Sequence, residues 1–401
     1  MTLSSATLPA TPAAPVVVPT PRRPPPAVQN RTGNVRVLHL INGEHYAGAE
    51  RVQDLLALRL PEFGFEVEYA CVKPDKFGPR RASQHVPLHE MPMGRRYDLR
   101  AAWKIARLVR RQGYQLIHTH TPRTALVGSL ASRVCRVPMV HHVHGQTLTE
   151  VNRQWLCRLS AVVERVSLGR ASRIIAVSPS AVQYLRRQAV RPERIALVPN
   201  GVPASKHRLS RPWERTPGRA WTLGTIALFR PRKGTEMLLQ AVADLRAAGH
   251  NVRLRAVGPF ETSQYEAEVQ ARVQSLGLAD HVDWVGFRSD VDAELAQMDL
   301  MVLPSLLAEG LPMVVLEAMA AGVPPVGTRV EGILDVIRHE TDGLLCEPNS
   351  ADLAKQLERV LRGELDYSRL SAATVARHQE CYSDVSMAQG LAQVYRDLLF
   401  D

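Results

Sequence analysis

Two glutamates eight positions apart, Glu309 and Glu317, flank the start of an apolar segment that could hold both carboxylates against a ligand. Pro312 suits the first position of a helix, because a proline lacks the N–H that has no partner there. Gly322 suits the C-terminal cap of the same helix. The free N–H groups and dipole at such a helix start favour an anion, for example a diphosphate. The segment therefore predicts hydroxyl-binding carboxylates beside an anion site.

The spacing of the two glutamates is weak evidence on its own, since a solvated acidic pair on an ordinary helix would look the same. The surrounding sequence favours a ligand site. A buried strand is predicted to end at Pro304, and the loop that follows reads Glu-Gly-Leu-Pro from Glu309 onward. A strand, a tight loop and a helix start in that order place the carboxylates where α/β proteins bind their ligands.

These residues need strands and helices in alternation, and the sequence supplies two such series. The first has strands at 35–41, 64–72, 116–119, 139–143 and 173–177, with helices at 49–60, 98–112, 122–135 and 152–170. The second has strands at 222–228, 253–257, 282–285, 300–303 and 325–327. We predict an α/β protein of two Rossmann-like, doubly wound parallel-sheet domains facing across a cleft.

Composition suggests where the domains begin and end. Residues 1–33 are rich in proline and alanine and predict a disordered tail. We expect a first domain over 34–210, a second over 211–380, and a final helix within 381–401 that packs back on the first domain. Five cysteines without a C-x-x-C pair indicate isolated thiols in a reducing compartment.

Several motifs, taken in order, carry a family resemblance that covers about 35 to 390. They are Gly48-Ala49-Glu50-Arg51, Val143-His144-Gly145, Val198-Pro199-Asn200-Gly201-Val202, Lys233-Gly234, and Glu309 with Glu317. Together they resemble the retaining glycosyltransferases of the GT-B fold that share an E-x7-E motif (group 1, family four). The resemblance implies an acceptor-binding first domain and a second domain that binds a nucleotide-sugar donor.

The resemblance also implies roles for individual residues. His144 and Glu309 would be catalytic, His144 facing the sugar and Glu309 holding one of its hydroxyls. Lys233 would pair with the donor diphosphate and Glu317 would bind the ribose. The remaining donor-side residues would be Gly48, Gly310, Leu311, Met313 and Val314. His120 and Asn200 are the candidates on the acceptor side.

This sequence departs from the family pattern in the loop before Lys233. The family often has Gly-Arg where Ala227-Leu228 stand here, and we expect Arg230 to replace that arginine as a phosphate ligand. Asp290-Val291-Asp292 matches the D-x-D string of metal-dependent glycosyltransferases of another fold, but Asp290 is better explained as a helix cap. We expect no metal and no cofactor, the nucleotide sugar being a substrate.

Histidines cluster near strand ends of the first domain: His118, His120, His141 and His142. Each taken singly is more often a structural residue than a catalytic one. A metal site built from these four is conceivable, although their spacing matches no metal-ligand pattern. The G-x-G-x-x-G sequence of dehydrogenases does not follow the first strand.

The two halves of the chain differ in net charge. Residues 1–215 hold 33 basic and 13 acidic residues, a net +20, and residues 216–401 hold 17 and 26, a net −9. A basic segment near 98–112 includes Trp103 and could lie on anionic lipid, or could simply be a solvated face.

Nucleic-acid binding lacks a recognisable module in this sequence. Aromatic residues are 5%, too few for a lectin built on stacking.

We therefore expect a retaining, metal-independent hexosyltransferase that moves a sugar to a hydroxyl of a lipid-linked or polysaccharide acceptor in cell-envelope synthesis. With neither a long apolar run nor a signal sequence, it is expected in the cytoplasm or at the inner face of the membrane. The alternatives are a nucleotide-sugar epimerase on the same fold and a non-catalytic donor-binding scaffold.

Overall fold

A computed structural model describes residues 34–94, 98, 100–145, 168–207 and 219–401. Two α/β domains, each built on an all-parallel sheet, make up the described residues. The predicted tail over 1–33, most of the predicted helix at 152–170 and most of the linker near 203–220 lie outside the described residues.

The first sheet has seven strands in the order β3-β2-β1-β4-β5-β6-β7. Its strands are β1 (Val35–Ile41), β2 (Phe65–Cys71), β3 (Leu88–Glu90), β4 (Leu116–Thr119), β5 (Met139–Val143), β6 (Arg173–Ala176) and β7 (Ile195–Leu197). Its helices are α1 (Gly48–Arg59), α2 (Phe77–Arg80), α3 (Arg100–Gln112), α4 (Pro122–Cys135) and α5 (Pro179–Arg187).

The second sheet has six strands in the order β10-β9-β8-β11-β12-β13. They are β8 (Trp221–Ile226), β9 (Val252–Val257), β10 (Val282–Gly286), β11 (Leu300–Leu303), β12 (Pro325–Thr328) and β13 (Leu344–Cys346). Its helices are α6 (Thr235–Ala247), α7 (Ser263–Ser275), α8 (Val291–Leu295), α9 (Met313–Ala321), α10 (Ser350–Leu361) and α11 (Tyr367–Arg377).

The order of each sheet reverses once, beside its first strand. In the first sheet β1 lies between β2 and β4, and in the second β8 lies between β9 and β11. The loops that leave these neighbouring strands diverge to opposite faces, which opens a crevice at their carboxyl ends. Ligands of open α/β sheets bind in that crevice, so the topology marks one location on each sheet.

The chain crosses back at its end. After α11 and a π-helical turn at His378–Tyr382, the last helix α12 (Asp384–Leu399) buries Met387, Leu391 and Tyr395 in a core cluster that also contains first-sheet residues. An ion pair joins Arg59 of α1 to Asp384 at the start of α12, with 2.7 Å between Nε and Oδ2. The final helix therefore packs beside α1.

Most predicted elements agree with the structure within a few residues, with three short strands missed. These strands, β3, β7 and β13, have three residues each and lie at sheet edges. A strand of three residues is too short to show a periodic pattern. Pro312 was expected inside the helix, but its ψ of 106° makes it the N-cap, and α9 begins at Met313.

The described helices include none that is both long and apolar enough to cross a bilayer. Four of the five cysteines are described, and all four are free: Cys71, Cys135, Cys346 and Cys381. Asp290 caps α8 as expected, its Oδ1 accepting a hydrogen bond of 3.0 Å from the Ala293 N–H.

Candidate functional site

Lys233 and Glu309 meet at the crevice of the second sheet. Lys233 follows β8 and Glu309 follows β11, and these strands are neighbours although other strands separate them in sequence. The Lys233 Nζ donates to Glu309 Oε1 at 2.6 Å. Burial lowers the pKa of Lys233, and the nearby carboxylate of Glu309 opposes that effect. The lysine is thus a largely buried cation paired with the Glu309 carboxylate.

The loop that carries Glu309 is held from several directions. Ser305 Oγ donates to the same carboxylate at 2.6 Å, and the Glu309 N–H donates to the Glu331 carbonyl at 2.9 Å. Gly332 has a φ of +85°, and a Cβ there would overlap the Gly310 and Glu309 carbonyl groups. Backbone contacts therefore hold the loop, and the side chains of Ser305 and Lys233 hold the carboxylate.

The start of α9 lies beside this carboxylate. The N–H groups of Met313 and Val314 are the first two of the helix, and such groups have no intrahelical partner. Leu311 is buried beneath the loop. A Cβ on Gly48, at the start of α1, would lie 3.4 Å from the Met313 side chain, so the N-termini of α1 and α9 approach each other across the cleft. Two helix starts facing one space favour an anion there.

Gly310 lies against the backbone of His144, which leaves the end of β5. A Cβ on Gly310 would overlap the His144 carbonyl oxygen. Gly145 also approaches Gly310 closely. The structure therefore brings the two residues expected to be catalytic, His144 and Glu309, to opposite sides of one narrow contact between the domains.

Glu317 lies on α9 and forms an ion pair with Arg51 of α1. Burial raises the pKa of the Glu317 carboxyl, and Arg51 opposes that rise. The pair crosses the cleft, because α1 belongs to the first domain and α9 to the second. Arg51 was expected only as part of the Gly48-Ala49-Glu50-Arg51 motif, because nothing in the sequence connects α1 with α9.

Two arginines accompany Lys233. Arg230 and Arg232 both contribute repulsion that lowers the Lys233 pKa, so all three cations are close together. Each has a buried Nε without a hydrogen-bond partner among the described residues, and Arg230 reaches Glu261 only at 3.5 Å. This loop gathers positive charge in a domain whose net charge is negative.

A stack of imidazoles fills the crevice of the first sheet. His118 and His120 of β4 and its loop, and His142 and His144 of β5 and its loop, point to one face because alternate strand residues do so. His142 and His144 stack with ring centroids 4.3 Å apart and planes 9° apart. Burial lowers the pKa of His144 to about 3 and that of His39 on β1 to about 3.

Two triads in this stack have ring nitrogens within 4.8 Å of one another, close enough for the three nitrogens to reach one metal ion. They are His39, His118 and His120, and His120, His142 and His144. The second triad holds the nearly parallel rings of His142 and His144. Because lone pairs lie in the ring plane, those of parallel rings run side by side and do not converge on one ion. The absence of a metal stays a prediction.

The two acceptor-side candidates are buried. Both ring nitrogens of His120 contact other histidines, His144 at 3.2 Å and His39 at 3.2 Å. Asn200 is also buried, and its Oδ1 has no hydrogen-bond partner among the described residues. Their roles toward an acceptor stay predictions, as do the roles of the donor-side residues.

Two family models together match most of the chain. Residues 209–377 match the family described as glycosyl transferases group 1, and residues 47–201 match a glycosyl transferase 4-like domain. A 2-deoxystreptamine glucosyltransferase of Streptomyces kanamyceticus is 30% identical over 301 residues, which span 66% of this chain and 74% of that protein.

The chain belongs to the group 1 glycosyltransferase family. A galactosyltransferase of Escherichia coli, named as acting on GlcNAc-diphosphoundecaprenol with UDP-Gal, is 25% identical over 64% of this chain and 68% of its own length. Among solved structures, Anabaena HepE in complex with UDP superimposes with a TM-score of 0.80 at 21% identity, covering 91% of this chain and all of that chain. The fold is GT-B, as predicted, and this glycosyltransferase places the E-x7-E segment on α9 and the loop before it.

Proposed function

We propose that this glycosyltransferase moves a hexose from a nucleotide-sugar donor to a hydroxyl of a lipid-linked or polysaccharide acceptor, with retention and without a metal. The observation that carries the proposal is the Lys233–Glu309 pair beside the start of α9. A cation, two free N–H groups and a fixed carboxylate in one crevice suit a diphosphate joined to a hydroxyl-rich sugar.

In this proposal the second domain stabilises the leaving group. Lys233, Arg230 and the α9 start would neutralise the charge that develops on the departing diphosphate, which is where electrostatic stabilisation lowers a barrier most. Glu309 would exchange part of its contact with Lys233 for a sugar hydroxyl. Glu317 would accept hydrogen bonds from the ribose. The contact of Gly310 with His144 supports a closed cleft that excludes water and limits hydrolysis.

Retention is proposed from the resemblance of the E-x7-E segment to retaining enzymes. The carboxylate nearest the site, Glu309, is already engaged by Lys233 and Ser305 and is poorly placed to act as a free base. The departing phosphate oxygen would take the proton of the acceptor hydroxyl as the new bond forms on the same face of the sugar.

The acceptor class is proposed from charge and from relatives. The first domain and its flanks carry the net +20, which would attract an anionic lipid surface or a diphosphate-linked acceptor. The Escherichia coli relative is named for a diphosphoundecaprenol acceptor, and the Anabaena structure holds UDP. We place the enzyme in the cytoplasm, at the inner face of the membrane, in cell-envelope synthesis.

The first test is donor binding and transfer by the intact enzyme and by a Lys233→Ala variant. Binding of nucleotide sugars, beginning with UDP-glucose, is measured by thermal shift and calorimetry. Transfer is measured with a diphospholipid-linked sugar as acceptor. Removing a main phosphate contact should lower kcat/KM by about 100-fold or more. Lys355→Ala, which removes an exposed lysine from α10, is the matched control and should behave as the unaltered enzyme.

The same assay tests the finer parts of the proposal. NMR of the product gives the anomeric configuration, and an inverted product would refute retention. Transfer that stops with EDTA and returns with a divalent cation would refute metal independence. Equal kcat/KM for Lys233→Ala and Lys355→Ala would refute the site. Interconversion of the nucleotide sugar without acceptor would favour the epimerase, and donor binding without turnover would favour the scaffold.

A further inference from the structure

Two histidines, His120 and His39, link His144 to Tyr395 of α12 through hydrogen bonds, and His118 contacts the same tyrosine. We call the five residues His118, Tyr395, His39, His120 and His144 the histidine ladder. Tyr395 Oη lies 2.5 Å from His118 Nδ1 and 3.2 Å from His39 Nε2. His39 Nδ1 lies 3.2 Å from His120 Nε2, and His120 Nδ1 lies 3.2 Å from His144 Nε2. The ladder ends at His144 Nδ1, a buried atom without a partner among the described residues.

The four imidazoles of the ladder are uncharged. Burial lowers the pKa of His39, His118, His120 and His144 below the ordinary value for histidine. Tyr395 stays protonated for the corresponding reason, because burial raises its pKa. A neutral imidazole carries one proton, so one of its nitrogens donates and the other accepts. The hydroxyl likewise supplies one proton.

Counting these protons leaves two arrangements of the ladder. If Tyr395 donates to His118, its oxygen must accept from His39, so His39 carries its proton on Nε2. His120 must then donate from Nε2 to the bare Nδ1 of His39, and His144 from Nε2 to the bare Nδ1 of His120. His144 then holds its proton on Nε2 and has a bare Nδ1. If Tyr395 donates to His39 instead, every proton is on the opposite nitrogen, and His144 carries its proton on Nδ1.

The unpartnered atoms do not favour either arrangement. In each arrangement the two end atoms, His118 Nε2 and His144 Nδ1, are one buried donor and one buried acceptor without a partner among the described residues. The distances do favour one. A separation of 2.5 Å between oxygen and nitrogen suits an O–H donor, while 3.2 Å suits an N–H donor to oxygen. The distances thus favour the arrangement in which the Tyr395 hydroxyl donates to His118.

We propose that Tyr395 is a positioning residue that acts through His39 and His120 to hold the proton of His144 on Nε2. His144 then offers its bare Nδ1 as an acceptor for a hydroxyl of the donor sugar. This inference rests on the proposed function, because the sugar is the ligand that His144 would meet. His142 stacks on His144 but is not part of the ladder, since neither of its ring nitrogens has a hydrogen-bond partner among the described residues.

The test reads the tautomer of His144 directly in the full-length protein labelled with ¹⁵N-histidine. Long-range ¹H–¹⁵N spectra distinguish a protonated from a bare ring nitrogen, and a His144→Asn variant assigns the signals. The unaltered protein should show a protonated Nε2 and a bare Nδ1. In Tyr395→Phe the ladder loses the hydroxyl that joins His118 to His39, so the two nitrogen shifts should move toward each other, and kcat should fall about tenfold.

Tyr69→Phe is the matched control. Tyr69 is also fully buried against the first sheet, but its hydroxyl contacts the Gln53 carbonyl and Ser83 and not the ladder. This variant loses a buried hydroxyl and should leave the His144 shifts and kcat unchanged. His144 shifts that stay in place in Tyr395→Phe, or that move equally in Tyr69→Phe, would overturn the proposal. A proton found on Nδ1 of the unaltered protein would also overturn it.

A second variant covers the case in which Tyr395→Phe does not fold. His39→Leu breaks the ladder one step nearer to His144 and should mix the two tautomers in the same way. Combined with Tyr395→Phe it should change the His144 shifts no further, because both substitutions interrupt one path. Additive changes would contradict a single path. The spectra need no substrate, so a protein that transfers no sugar but shows the expected shifts refutes only the proposed function.

Discussion

The charge of the buried Glu317 carboxylate depends on its ion pair with Arg51. Burial raises its pKa and Arg51 holds that rise in check. Arg51→Gln should therefore raise the Glu317 pKa further, so that the carboxyl becomes neutral at a higher pH and binds ribose hydroxyls less well. We expect donor KM to rise about three- to tenfold at neutral pH. The rise with acidification should begin at a higher pH than in the unaltered enzyme.

The free energy of unfolding should also depend on pH through the raised pKa of Glu317. An acid whose pKa is raised by folding costs stability in full above its folded pKa, and the cost shrinks as pH falls from the folded pKa to the lower, unfolded pKa, below which it is gone. Arg51→Gln should thus lose about 1–2 kcal/mol at neutral pH, and less at acidic pH. Thermal unfolding across this pH range measures the difference. Arg362→Gln, which removes an exposed pair with Glu358, is the control; an equal, pH-independent loss in both variants would contradict the argument.

At the level of elements, α3 presents an unusual outer face. Ala101, Ile105 and Val109 are buried, while Trp103 is 68% exposed among basic residues of the same helix. An exposed tryptophan on a basic helix suits the headgroup region of an anionic membrane. Trp103→Ala should weaken binding to phosphatidylglycerol vesicles by about tenfold. Sedimentation with the vesicles measures it.

The control for α3 is Phe400→Ala, because Phe400 is also an exposed aromatic residue but follows the last helix. Its removal should leave vesicle binding unchanged. Binding should also fall with added salt, since the headgroup attraction is screened. Equal binding to neutral phosphatidylcholine vesicles, or no loss in Trp103→Ala, would indicate that α3 is simply a solvated face.

How far the sequence predicts the elements depends on their length and on the separation of their contacts. Longer strands such as β1 and β5 are mostly apolar and were predicted at their observed bounds. The meeting of Lys233 with Glu309 follows from their motifs and parallel-strand topology. The contact between His39 and Tyr395 could not be predicted, because it joins residues 356 positions apart through the packing of α12.

At the scale of the whole molecule, the division of charge acquires a structural meaning. The second domain is acidic overall, yet its crevice gathers Lys233, Arg230 and Arg232 at one loop beside the α9 start. Its proposed affinity for a diphosphate must then come from these local groups and not from the field of the domain. The excess positive charge belongs to the other domain, where a membrane or an anionic acceptor would be drawn.

The last helix packs on the first domain, beside α1, within a core cluster that also includes residues of the second domain. Leu391 of α12 is fully buried in the cluster that contains β1 and α1 residues, whereas Leu357 of α10 is fully buried in the core of the second sheet. Each Leu→Ala substitution should cost about 3 kcal/mol. Hydrogen exchange should show Leu391→Ala weakening protection in β1 and β2, and Leu357→Ala weakening it in the second sheet. Loss confined to the second sheet in both variants would contradict this assignment of α12, and with it the route by which Tyr395 reaches His144.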